Sequence, residues 1–129
     1  MLQQGGAIAI KVDAEAPQFL IVTARDDPDR WVFPKSEMMG GEAPEDAAIR
    51  ELLECGVQGE LSACVGTTTF SAGDHDVEVA YFLIRAVAEE ASTTGRGLKW
   101  LGYDEARAQL TFDDARELLD KTAGALSAR

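Results

Sequence analysis

Apolar and polar positions change rhythm along the chain, and each change predicts an element. Residues 7–12 are apolar with weak alternation, and residues 19–23 form a second β-rich run. The turn-prone residues 13–17 between them predict a hairpin, because two strands so close in sequence leave no room for a helical crossover. A polar loop with Asp26, Asp27, Pro28 and Asp29 follows, then the short apolar piece Trp31-Val32-Phe33, stopped by Pro34. Gly40-Gly41 breaks the backbone, and Pro44 is well placed as the first residue of a helix that runs to about Cys55 and ends at Gly56. β-branched and aromatic residues recur over 61–70 and 77–88, with a turn at 71–74 that contains Gly73. A polar loop over 89–97 leads to a short strand at 98–101. Helical spacing over 104–110 and 113–126 closes the chain, with Ala115, Leu118, Leu119 and Ala123 on one side. The sum is an α/β domain spanning 1–129 with a mostly antiparallel or mixed sheet.

Composition narrows the functions. The 129 residues are 46% hydrophobic and 27% charged, ordinary values for one globular domain with a real core. No apolar run approaches the ~20 residues needed to span a bilayer, and the start MLQQGG lacks a signal peptide's basic and long apolar regions, so a soluble cytoplasmic protein without a membrane partner is expected. The 12 Lys and Arg against 23 Asp and Glu leave a net charge of −11, which argues against a DNA or RNA partner. A small anion remains compatible, provided local cations or metal ions screen the carboxylates. Cys55 and Cys64 have neither zinc-ligand spacing nor the density of a disulfide scaffold, which suits a reducing compartment.

The chemistry concentrates between Gly40 and Val57, where a glycine turn feeds the helix. At ~100° per residue, Ala47, Ala48, Arg50, Glu51, Glu54 and Cys55 are expected on one side and Ile49, Leu52 and Leu53 on the other. Glu51 and Glu54 are then neighbours. Their i, i+3 spacing repels by a few tenths of a kcal/mol on a bare helix, but it suits a divalent cation held between them, and hard oxygen ligands favour Mg²⁺ or Mn²⁺. Glu42, in the turn before the helix, can reach Arg50 and brace the loop. A plain solvated helix face accounts for Glu45 and Asp46, since the helix dipole favours acids in the first turn.

The segment resembles the Nudix box, G-x5-E-x7-R-E-U-x-E-E-x-G-U with U aliphatic, in which Glu42, Arg50, Glu51, Leu52 and Glu54 fall in register. Trp31-Val32-Phe33-Pro34-Lys35 looks like the W-x-F-P-K-G lead-in of many Nudix hydrolases. The resemblance implies an α/β/α sandwich around a mixed sheet, with metal ions on the box helix that bind a diphosphate bridge. It implies catalytic roles for Glu51 and Glu54, and metal ligation by the Ser36 carbonyl, Glu51, Glu54 and an acid beyond the box, for which Glu78 is the best positional candidate. Gly41, Glu42 and Arg50 are structural in this scheme. Lys35 and Arg25 are the candidate phosphate contacts, with Arg30 a weaker one, and Trp31 and Phe70 are either base-stacking or core aromatics. Phe33-Pro34-Lys35, Lys99-Trp100-Leu101 and the segment 110–119 look like the diadenosine tetraphosphate and diphosphoinositol polyphosphate hydrolase branch.

Two departures bear on activity. Ser36 stands where the box opens with glycine, and Cys55 stands in place of the second glutamate of the E-E pair, with Gly56 arriving one residue early. A thiol is a poor Mg²⁺ ligand, and an apolar role at the helix edge suits a free cysteine better. The resemblance therefore implies either a metal-dependent hydrolase of a nucleoside diphosphate linked to another moiety, working by water attack on phosphorus, or a weakly active or inactive Nudix-fold domain that binds a nucleotide or a protein. A small nucleoside polyphosphate is the expected partner in the first case.

Overall fold

A computed structural model describes residues 2–13 and 16–127. The chain forms β1 (Leu2–Asp13), β2 (Ala16–Thr23), β3 (Trp31–Val32), β4 (Lys35–Glu37), α1 (Pro44–Glu54), β5 (Val57–Ala72), β6 (His75–Glu89), β7 (Leu98–Leu101), α2 (Tyr103–Gln109) and α3 (Asp113–Ser127). The central path is β3-β2-β1-β6-β5, with β4 paired to β1 and β7 to β2. β1 and β6 run parallel, and every other pair is antiparallel, so the sheet is mixed. The first two strands are the expected hairpin, in register from Ile10↔Phe19 to Asp13↔Ala16. Of the turn expected over 13–17, residues 13, 16 and 17 are already paired strand, and 14 and 15 lie outside the described residues.

Strand alternation sorts the core into two layers, since successive side chains point to opposite faces. Ile8 and Ile10 of β1, Phe19 and Ile21 of β2, and Val77, Val79, Tyr81 and Leu83 of β6 face α2 and α3, where Ala106, Leu110, Leu118 and Leu119 meet them. Ala7, Ala9, Leu20, Val22, Phe82 and Ile84 face α1. Helices on both faces of a mixed sheet make the α/β/α sandwich. No helix among the described residues is long and apolar enough to cross a membrane.

Helix α1 does not divide as its spacing predicts, because Leu52, expected opposite Ala48 and Cys55, packs into the same core with them. Ala48, Leu52 and Cys55 pack into the core with Ala47 and Glu51 beside them, while Leu53 is left 45% exposed. The cause is a close approach. A Cβ on Gly5 of β1 would stand 1.9 Å from the Pro44 carbonyl oxygen and 3.2 Å from the Ala47 Cβ, so the first turn of the helix lies directly on β1. Small residues on both partners fill the contact, and Glu51 is carried inward with them.

The strands also run longer than the apolar pattern predicts. β5 begins at Val57 rather than at 61, and residues 58–60, Gln-Gly-Glu, carry no apolar alternation to mark them. They are extended because β6 pairs with them along the hairpin, from Val57↔Glu89 to Ala72↔His75. β4 escapes the sequence pattern for the same reason: Lys-Ser-Glu has no apolar periodicity, and pairing with Gln4, Gly5 and Gly6 of β1 makes it a strand.

Candidate active site

The box loop is braced as its spacing suggests. Arg50 donates to Glu42 through Nε and Nη2, each at 3.0 Å, and Nη2 also reaches the Glu37 carbonyl at 2.8 Å and Ser36 Oγ at 3.3 Å. The Met39 N–H donates to Glu42 Oε1 at 2.7 Å. One arginine thus joins β4, the loop and α1, and Gly41, with φ of 81°, lets the chain turn back just before Glu42. The Arg50 hydrogen bonds and the Met39 N–H hold the Glu42 carboxyl below the usual glutamate range. A carboxyl whose folded pKa is depressed contributes stability that is present above its unfolded value and lost as pH falls through the folded one. We expect the urea midpoint gap between wild type and Glu42→Gln to narrow as pH falls from neutrality to about 3, below the ordinary glutamate value. A gap constant over that range would remove the pair from the acid limb.

Glu51 and Glu54 lie one turn on. Glu51 is fully buried, and both its carboxylate oxygens are engaged. Arg25, just past the end of β2, donates through Nη2 to Oε1, and Arg96, from the loop between β6 and β7, donates through Nη1 to Oε2 at 2.9 Å. Arg96 is itself held, its Nε donating to the Thr23 carbonyl at 2.8 Å and the neighbouring Gly97 N–H donating to Thr23 Oγ1. The same loop closes the end of the helix, where the Thr93 N–H and the Ser92 and Thr93 hydroxyls donate to the Glu54 carbonyl. The Glu54 side chain is 43% exposed, with its carboxylate 3.9 Å from Arg25.

The two carboxyls are driven apart. Burial acts to raise Glu51, but the hydrogen bond and charge of Arg25, the neighbouring Glu54 and the Arg96 guanidinium outweigh it and hold Glu51 below the usual range. Glu54 is pushed above that range chiefly by the neighbouring Glu51 carboxylate and further by burial. Cys55 takes no part. It is buried among Ala48, Leu52 and Val57, and burial pushes its thiol up to about 11. A carboxylate at position 55 would enter the core, not the cleft.

These groups border a cleft of about 900 Å³. Among the described residues, Arg25, Arg30, Lys35, Arg50 and Arg96 line it, five of the chain's 12 basic residues, against only Asp26, Glu37, Glu54 and Asp114 of its 23 acids. On an acidic chain the cleft is where cations gather. Lys35 is half-buried, with Nζ 4.0 Å from the centre of the Phe70 ring, and burial lowers its pKa against the pull of Asp114 and Asp26. Phe70, Tyr81 and Phe112 supply an aromatic wall, and the buried Gln4 Oε1 at the cleft has no hydrogen-bond partner among the described residues. Arg30 is paired with Asp27 at 3.2 Å and stands over Phe112. Trp31 does not line the cleft and packs at the edge of the core beneath Lys99.

Of the candidate metal ligands, Ser36 and Glu54 reach the cleft and Glu51 lies directly behind it. Glu78 is not among the lining residues. It alternates away from Val77 and Val79 as the sequence implies, but Tyr81 and the partners of those valines, Phe70 and Thr68, bring the opposite face of β5 and β6 to the cleft. Among the described residues no three His, Cys, Asp or Glu side chains converge as a metal-holding group. The donor set fits a dication shared between one or two carboxylates and substrate phosphates, a common arrangement for Mg²⁺, rather than an all-protein cage. Arg96 is the participant that sequence reasoning missed. Its only local sign is a cation between Gly95 and Gly97, and 45 residues separate it from Glu51.

Residues 2–121 match the NUDIX domain, and the chain belongs to that family. It is 29% identical over 96 residues to diphosphoinositol polyphosphate phosphohydrolase 3-alpha of Mus musculus, a match covering 69% of this chain and 57% of that protein. The chain thus spans little more than half the length of that relative. It is 29% identical over 120 residues to the asymmetrical bis(5'-nucleosyl)-tetraphosphatase of Sus scrofa, covering 86% of this chain and 82% of that one. The crystal structure of a C. elegans Ap4A hydrolase binary complex superposes over all of both chains with a TM-score of 0.87 at 22% identity, which establishes the shared fold.

Proposed function

We propose that the protein hydrolyses a nucleoside diphosphate linked to another moiety, with diadenosine polyphosphates the favoured class, by attack of water on phosphorus. The observation that carries this is the position of Glu54, open to a cation-rich cleft with an aromatic wall in a NUDIX chain. The polyphosphate lies along Arg25 and Lys35, and a base stacks on the wall formed by Phe70, Tyr81 and Phe112. Glu54 accepts the proton of the attacking water, since it opens to the cleft while Glu51 is buried with both oxygens engaged. The water oxygen bonds to phosphorus, the bridging P–O bond breaks, and two phosphate-bearing products leave. Charge that builds on the phosphates meets the Arg25 guanidinium and the Lys35 ammonium. Mg²⁺ or Mn²⁺, held by Glu51 with the substrate's phosphates, would supply charge neutralisation and a more acidic water.

The binding-only reading draws on Cys55, because the carboxylate absent from the box has no replacement at that position. Product formation from diadenosine polyphosphates, ADP-ribose, nucleoside triphosphates and diphosphoinositol phosphates, with Mg²⁺ and with Mn²⁺, separates the two. Turnover of a dinucleoside polyphosphate above the other classes is expected. Intact substrates under both metals would leave a domain that binds without cleaving.

A further inference from the structure

Glu51, Glu54, Arg25 and Arg96 form a group of two carboxylates and two guanidiniums in which formal charge cancels. Glu51 sits at its centre with no oxygen free. A dication entering this group meets no net negative charge and must displace a guanidinium to reach Glu51. The two arginines are not equivalent in this respect. Arg96 is 10% exposed and anchored on the Thr23 carbonyl, in a loop whose Thr93 and Ser92 are tied to the end of α1. Arg25 has a side chain 59% exposed and, among the described residues, only Glu51 and Glu54 for partners. It holds Glu51 through Nη2 alone, which leaves Nε and Nη1 for another acceptor, and a guanidinium is well matched to phosphate oxygens.

We propose that Arg25 is an exchangeable counter-ion: in the free protein it holds Glu51 in place of a divalent cation, and it passes to a substrate phosphate when the polyphosphate arrives. Metal and polyphosphate are therefore taken up together, and the free protein binds the metal weakly. This rests on the reading of the cleft as a polyphosphate site, but its consequence for the free protein does not require turnover.

The test is Mn²⁺ binding to the protein without nucleotide, followed by electron paramagnetic resonance of the free ion. Wild type is expected to bind weakly, and Arg25→Gln about tenfold more tightly, the fold-change that accompanies loss of one partly exposed charge-assisted pair. The double variant Arg25→Gln/Glu51→Gln is expected to lose the gain, which places it on the Glu51 carboxylate. Affinity in Arg25→Gln equal to or below wild type overturns the proposal, as does a gain that survives in the double variant. Absence of hydrolysis in the substrate panel would overturn the enzymatic reading and leave this result standing.

Discussion

Replacing Glu54 with glutamine is expected to lower turnover at least ~100-fold, the lower range for loss of a general base. The substitution keeps size and hydrogen-bonding capacity and removes only the ability to take a proton from water. Because the side chain is 43% exposed and its backbone is fixed by the loop bearing Ser92 and Thr93, the variant is expected to fold like wild type. The wild-type pH profile carries the same information. Glu54 must be ionised to accept a proton, and its carboxyl is raised, so kcat/KM is expected to fall on acidification at a pH above the ordinary glutamate value. A Glu54→Gln enzyme with near wild-type turnover would take Glu54 out of the chemistry.

The second large effect concerns stability. Arg96→Met removes one of two cations from a fully buried carboxylate and leaves the Thr23 carbonyl without its guanidinium donor. Breaking a buried ion pair on one side typically costs about 3–5 kcal/mol, and since Arg25 still compensates Glu51 we expect the lower end, about 3 kcal/mol. Arg25→Gln touches the same carboxylate but removes a largely exposed cation, for which water substitutes readily, and its cost is expected to stay below about 1 kcal/mol. Urea midpoints at constant m would show the ordering. Equal losses in the two variants would mean that Arg96 is no more structural than Arg25.

That contrast also marks where the sequence stops being legible. Helix α1 can be read to within a residue because its signals are local: Pro44 opens it, and Gly56, at φ of 85°, ends it. β7 can be read for a similar reason, since Leu98–Leu101 is a short apolar run bounded by glycines. The Glu42–Arg50 brace spans only eight residues on adjoining elements. The setting of Glu51 is not local. Helical periodicity places it beside Glu54, but the cations that hold it come from loops 26 and 45 residues away. Its burial follows from Gly5 on a different element, which draws the alanine side of the helix onto the sheet. Glu78 shows the opposite limit, for alternation predicts its phase on β6 correctly but not which face of β5 and β6 reaches the cleft.

The most direct measurement is hydrolysis of diadenosine tetraphosphate in ¹⁸O-labelled water, with the products resolved by mass spectrometry and Glu54→Gln run in parallel. Water attack on phosphorus predicts one labelled oxygen in a phosphate of one product, formed by the wild type and at least ~100-fold more slowly by the variant. Intact substrate with the wild type, or products whose phosphates carry no label, would contradict hydrolysis by this cleft.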